Sequence, residues 1–236
     1  VSNAATRISD APDQSMIRFQ GRMFEPLTSG ALFWPSENAL LVADLHFEKL
    51  SSFARGGQLL PPYDTGLTLG RLEADLRRTG ATKLIALGDS FHRDEGTATL
   101  LPQDRTRLDA LTSKVDWIWL SGNHDPDPHD LGGLCGTELN AHGITLCHEP
   151  GSTNGPHIAG HLHPAARVRL NGRSVRSACF VCDERMMILP AYGSATGNLN
   201  ILSPAFHGLL RFSQLQIVML GRERVYPVSP KRLVGG

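Results

Sequence analysis

Asp44 and His46 stand two residues apart, as do His161 and His163, and between these pairs lie Gly88-Asp89, Gly122-Asn123-His124-Asp125 and His148. Each cluster follows a short apolar run. Taken singly the residues are ordinary, since an Asp at a strand end caps a helix or makes a turn, and Gly-Asn-His-Asp is a turn composition. Together they gather carboxylate, imidazole and amide groups with no thiolate among them. Donors of that mix suit Mn²⁺, Fe or Zn²⁺ in a reactive centre and disfavour a structural zinc. They also exceed what one tetrahedral ion needs. The pattern therefore predicts two ions, with Asp89 as the bridging carboxylate whose charge offsets the repulsion between them.

The elements that must position these groups follow from the apolar patterning. Met16–Leu27 and Ala31–Trp34 read as short strands around a Thr-Ser-Gly turn. Ala39–Ala43, Thr82–Leu87 and Val115–Leu120 read as buried strands. They alternate with helical patterns over Tyr63–Thr79, with apolar or small residues at Leu67, Leu69, Leu72, Ala74 and Leu76, and over Pro102–Lys114, with Leu108 and Leu111 inward. The second half is rich in strands: Ile144–Cys147, His157–Ala159, Ala166–Leu170, Val175–Cys182, Met186–Leu189, Leu215–Leu220 and Arg224–Val228, the last two joined through Gly221-Arg222. This order implies an α/β fold of two packed sheets with helices outside. Parallel units bind ligands at the carboxyl ends of their strands, and the polar clusters fall there.

Composition sets the outer bounds. The chain has 236 residues, 41% apolar and 19% charged, enough to bury a core. Lys+Arg and Asp+Glu both total 23, so no global field draws it to nucleic acid or membrane, and an anionic partner must be held locally. No apolar run approaches a bilayer span and the N-terminus lacks a secretory core, which leads us to expect a cytoplasmic protein. Residues 1–15 read as a loose polar tail, with Ser2-Asn3-Ala4 resembling the remnant of an expression tag, and 16–236 as a single domain. Cys179-x-x-Cys182 lies in an apolar strand pattern and reads as buried free thiols. Arg167, Arg169, Arg173 and Arg176 crowd one short stretch, and Arg167 and Arg169 share a strand face, as a phosphate-binding strip or as a solvated hairpin. His129, His142, His157 and His207 read as structural, Gly193–Gly197 lacks the Lys of a phosphate-binding loop, and no serine or cysteine sits in a nucleophile context.

The ordered set D-x-H, G-D, G-N-H-D, H and G-H-x-H resembles the calcineurin-like binuclear metallophosphoesterases across residues 39–163. Asp44-Leu-His46-Phe-Glu48-Lys49, Leu87-Gly88-Asp89-Ser90-Phe91-His92, Gly160-His161-Leu162-His163-Pro164 and Leu189-Pro190-Ala191-Tyr192-Gly193 are similar to the ligase-associated DNA-damage-response branch. The resemblance implies two mixed β-sheets packed as a sandwich with helices on both outer faces, in four layers. It implies one metal held by Asp44, His46, Asp89 and His163 and another by Asp89, Asn123, His148 and His161. His124 matches the family's catalytic histidine and Asp125 the carboxylate that orients it. His92 is placed to reach a phosphate oxygen. Ser90-Phe91-His92-Arg93-Asp94 departs from the many relatives that carry an Asp and an Arg shortly after the bridging carboxylate, so wider substrate contacts do not carry over.

The implied activity is a metal-dependent endonuclease, Mn²⁺-assisted, acting on single-stranded or damaged DNA alongside a DNA ligase, a helicase and a nuclease. A phosphodiesterase or phosphatase on a small nucleotide-like ester is the alternative. A scaffold that kept the fold without the chemistry is disfavoured, because every ligand position is filled.

Overall fold

The computed structural model describes residues 16–55, 63–93, 95–170 and 172–235; the expected N-terminal tail lies outside them. Two sheets pack face to face. The first runs in spatial order β1 (Ile17–Phe19), β2 (Arg22–Pro26), β3 (Leu32–Trp34), β4 (Ala39–Val42), β5 (Lys83–Leu87), β6 (Asp116–Leu120) and β7 (Leu134–Gly136). Its first four strands meander antiparallel, and β4 to β7 are parallel.

The second sheet holds β8 (Glu138–Ala141), β9 (Ile144–Cys147), β10 (His157–Ala159), β11 (Pro164–Leu170), β12 (Arg173–Cys182), β13 (Met186–Ile188), β14 (Leu199–Asn200), β15 (Gln216–Leu220) and β16 (Val225–Val228). The long β12 pairs with β11, β13 and β15, while β10 lies parallel to both β9 and β13. The loop before β16 takes in Glu223 and Arg224 as well as Gly221-Arg222, because Leu220 pairs with Val225.

The inner faces meet in one apolar layer, with Phe24, Trp34, Leu41 and Leu87 from the first sheet against Leu146, Ile158, Phe180 and Met187 from the second. On the outer face of the first sheet lie α2 (Asp64–Thr79) and α4 (Pro102–Thr112), preceded by α1 (Lys49–Arg55) and α3 (Gly96–Thr99). The outer face of the second sheet is covered by short 3₁₀ turns at Pro204–Phe206 and Phe212–Gln214 and their flanks, through Phe206, Leu210 and Leu215.

The inward stripe of α2 differs from its apolar count. Leu69 and Leu72 are fully buried, each burial contributing about 1.5–3 kcal/mol, whereas Leu67 is 64% exposed. Thr65, Thr68 and Asp75 complete the buried face at helical spacing. They point inward because each has a partner there: Thr65 serves Glu48, Thr68 serves Ser194, and Asp75 accepts from the Tyr192 hydroxyl at 2.8 Å. Gly80, at φ 67°, closes the helix in the left-handed conformation.

β7 and β8 were not legible as strands. Leu134–Gly136 is exposed and Glu138–Ala141 is polar, so only backbone pairing to β6 and β9 makes them strands.

Cys147, Cys179 and Cys182 are buried and unbridged, and Cys135 is exposed. Burial pushes the Cys182 thiol up to about 12 and raises those of Cys147 and Cys179 as well. The thiolate is the reactive species. A colourless thiol reagent with a chromogenic leaving group should thus titrate Cys135 alone in the native protein and all four thiols in denaturant; fast native reaction of a second thiol would contradict this packing.

Candidate metal centre

Every polar cluster leaves the carboxyl end of a strand: residues 43–48 after β4, 88–92 after β5, 121–125 after β6, His148 after β9 and 160–163 after β10. Beyond the end of the ladder, the first two loops stay laced together. Asp44 N–H donates to Gly88 O at 3.2 Å, His46 N–H to Asp89 O at 2.9 Å, Phe47 N–H to Ser90 O at 2.8 Å, and His92 N–H returns to Phe47 O at 3.0 Å. The second sheet is tied in by Tyr192 N–H to Ala43 O and by Gly193 N–H to Asp44 O.

The lacing demands unusual backbone. Asp44, His46, Asp89, His161 and His163 all have positive φ, between 45° and 71°. Side chains rarely adopt that region, at a cost of roughly 1–3 kcal/mol each, and such strain concentrates where it serves a function. Glu48, at φ 63°, is held by Thr65, whose hydroxyl accepts from Glu48 N–H and donates to its carboxylate, both at 2.9 Å.

Two groups of side chains result, Asp44, His46 and His163 in one and Asp89, His148 and His161 in the other, each offering donor atoms within 4.8 Å of one another. Asp89 faces both. Its Oδ1 lies 3.4 Å from His148 Nε2 and its Oδ2 lies 3.8 Å from His46 Nε2. Asn123 Oδ1 stands 3.0 Å from His148 Nε2, which places Asn123 in the second group.

The outer shell orients the rings. His148 Nδ1 donates to Leu87 O at 2.9 Å and His163 Nδ1 to Gly197 O at 3.1 Å, so both present Nε2 to the centre. There His163 Nε2 meets His46 Nε2 at 3.4 Å, and His148 Nε2 meets His161 Nδ1 at 3.1 Å. Ring nitrogens converging on each other and on carboxylates form a donor set that fits a divalent cation in each group. Burial, with help from His163 and Lys49, lowers the pKa of His46 to about 2, and burial with His148 lowers that of His161, so both rings are neutral and free to coordinate. Burial is the largest single influence on His163 and depresses it, but the hydrogen bond and charge of Asp44 together with the Gly197 carbonyl outweigh it and leave the pKa raised.

His124 lies at the rim, its ring stacked on His92 with centroids 5.1 Å apart and 5.3 Å from His46. Its backbone N–H donates to Asp89 Oδ1 at 3.0 Å. The orienting role expected of Asp125 needs correction. Its carboxylate accepts from the backbone N–H groups of Ser90 (2.7 Å), Phe91 (3.0 Å) and Gly122 (3.0 Å) and makes no bond to the His124 ring. Asp125 braces the loop after β5 against the loop after β6. Burial, reinforced by Asp89, raises its pKa to about 6 even against those three donors.

Arg167 and Arg169 are not brought into the cluster. At about 3.3 Å per residue along β11 they stand roughly 13 and 20 Å beyond His163. Lys49 carried no assigned role in the sequence, yet its ammonium is felt by His46, His92 and His163. Burial holds its pKa down, opposed by Asp44, Asp64 and Asp89.

The nuclease MPE of Pseudomonas putida matches this structure with a TM-score of 0.70 at 30% identity, over 90% of this chain and 98% of that one. The chain belongs to the calcineurin-like metallophosphoesterases. It is a hydrolase of phosphate esters that depends on divalent metal. The phosphoesterase Yfce of E. coli also matches, at TM-score 0.36 and 16% identity over 84% of this chain and 96% of that one. No family model matches the chain, and no curated protein does either.

Gly122 offers a sharp test of the centre. A Cβ there would overlap both the carboxylate oxygen Oδ1 and the backbone nitrogen of Asp89, and the backbone has no room to give way. Gly122→Ala should displace Asp89, cost about 1–3 kcal/mol of stability and lower bound metal well below two ions per chain in elemental analysis. His124→Ala, at the rim, should retain both metal and thermal midpoint. Full metal loading in Gly122→Ala would refute the crowding argument.

Proposed function

We propose that this chain, through residues 16–236 as one domain, is a Mn²⁺-dependent endonuclease that cuts single-stranded or damaged DNA in the cytoplasm, working beside a DNA ligase, a helicase and a nuclease. The observation that carries the reading is Asp89, which turns one carboxylate oxygen to each of two ligand groups, as a two-ion phosphoesterase requires. Support for a nucleic-acid substrate comes from the similarity to the Pseudomonas putida nuclease.

In this reading Asp44, His46, Asp89 and His163 hold one ion, and Asp89, Asn123, His148 and His161 the other. Divalent ions held there would supply Lewis acidity toward phosphoryl oxygens and water. His124 faces the centre from the rim, half exposed, where an imidazolium protonates the leaving oxygen. His92, stacked against it, contacts a non-bridging oxygen. No helix among the described residues is long and apolar enough to cross a membrane.

The alternative is hydrolysis of a small nucleotide-like ester at the same centre. A Mn²⁺-supplemented assay on single-stranded DNA, duplex DNA and bis(p-nitrophenyl) phosphate separates the two. An endonuclease should cleave single strands, lose activity in EDTA and regain it with Mn²⁺. Its DNA cleavage should also weaken steeply with salt, because phosphate contacts release counterions. Hydrolysis of the nitrophenyl ester without any DNA cleavage would move the assignment to a small substrate. His124→Ala should lower turnover by about 10²–10⁴-fold with the fold intact; undiminished turnover would remove His124 from the chemistry.

A further inference from the structure

Beside the centre, on the His163 side, a crevice of about 380 Å³ opens where α2 and the turn after β2 meet the loop before β14, lined among others by Thr28, Ser29, Arg71, Thr196, Gly197 and Asn198. None of its lining residues is acidic. Its walls are anchored to the ligand loops. Gly197 O accepts from His163 Nδ1, and Tyr192, which holds Arg71, is bonded through its N–H to Ala43 O at the root of Asp44.

Arg71 is the unusual member. It projects from α2, half-buried, with Nη1 donating to Tyr192 O at 2.6 Å and the guanidinium 5.4 Å from the Tyr192 ring centroid. Among the described residues no carboxylate lies within ion-pair distance of it, whereas Arg78, Arg105 and Arg107 all have acidic partners. A half-buried cation pinned by a carbonyl and an aromatic face, with its remaining donors unpaired by charge, is arranged to meet an anion from outside.

The rim repeats the pattern. Arg176 Nη2 donates to Asn198 O at 2.6 Å, and β11 and β12 set Arg167 directly opposite Arg176. Like charges opposed across a ladder are destabilising. Neither arginine has an acidic partner among the described residues to relieve this, so the pair marks a strip that a chain of anions would stabilise.

We infer that the Arg71 crevice binds a phosphate of the substrate strand next to the one being cut, and that Arg176 and Arg167 carry the strand onward along the hairpin. This rests on the nucleic-acid reading above and names where the strand leaves the centre. It makes Arg71 a binding residue that favours polynucleotides, which carry a neighbouring phosphate, over small esters, which carry only the one being cut.

The test compares wild type with Arg71→Gln and Arg71→Lys, in Mn²⁺, on a single-stranded oligonucleotide and on bis(p-nitrophenyl) phosphate. Binding of a fluorescent oligonucleotide is followed in parallel by anisotropy in Mn²⁺, in a His124→Ala background that keeps the metal and slows cleavage. Arg71→Gln should lower kcat/KM on the oligonucleotide about 10-fold or more, chiefly through KM, and weaken anisotropy binding comparably. Its activity on the nitrophenyl ester and its thermal midpoint should hold. Arg71→Lys, which keeps the charge, should recover part of the loss. An equal fall on both substrates, or no fall on the oligonucleotide, overturns the crevice while leaving the nuclease reading standing. A wild type that hydrolyses the ester yet does not cut the oligonucleotide, and whose His124→Ala form does not bind it, overturns both.

Discussion

Gly122 and Asp89 press together more closely than any side chain would allow, and the rest of the centre is arranged around that approach. With no Cβ at Gly122, the turn after β6 can settle directly on the backbone of Asp89. Asp125 then reaches back across the gap to gather the amides of Ser90 and Phe91 together with that of Gly122. The loop after β5 is thereby gripped from one side by Asp125 and from the other by the backbone bonds to residues 44–47. The grip fixes the plane of the Asp89 carboxylate, and with it which oxygen serves which group of ligands.

The energetic consequence is a centre assembled against local preference. Ligand residues sit in left-handed backbone, imidazole nitrogens face one another, and two buried carboxylates lie within a few ångströms of imidazole rings. Each feature alone would be costly. The apolar layer between the sheets and the polar bonds of α2 to Glu48, Ser194 and Tyr192 offset the cost from outside the centre. Cations in the two groups would bring opposite charge to the carboxylates and a partner to the ring nitrogens, as metal sites in folded domains do.

Much of this was legible in the sequence because the chemistry-bearing residues stand at the ends of short apolar strands, where pattern and composition change together. Asp44, Asp89, Asn123, His148 and the 161/163 pair could be named because their types are scarce and their order is distinctive. What stayed hidden depends on packing. The exposed β7 and the polar β8 have no apolar alternation to reveal them. Leu67 faces solvent while Thr65, Thr68 and Asp75 face inward, since hydrogen bonds to distant loops decide the rotation of α2 and no periodicity records those partners. Asp125 follows His124 in sequence, yet its carboxylate turns to backbone amides. Adjacency along the chain says nothing about which way a side chain points. Arg71 gave no signal, being one of many arginines until the fold placed it beside Tyr192.

The ligand groups draw on loops from residue 44 to residue 163 and from both sheets, which bears on how the polypeptide reaches its native state. Such long-separation encounters close late and slowly, so an early collapsed chain would present scattered histidines with little power to capture a cation. Each group takes ligands from the loops of both sheets, so neither is complete until the second sheet has docked on the first. Ions held more tightly by that assembled form than by the unfolded chain would shift the folding equilibrium towards it by mass action.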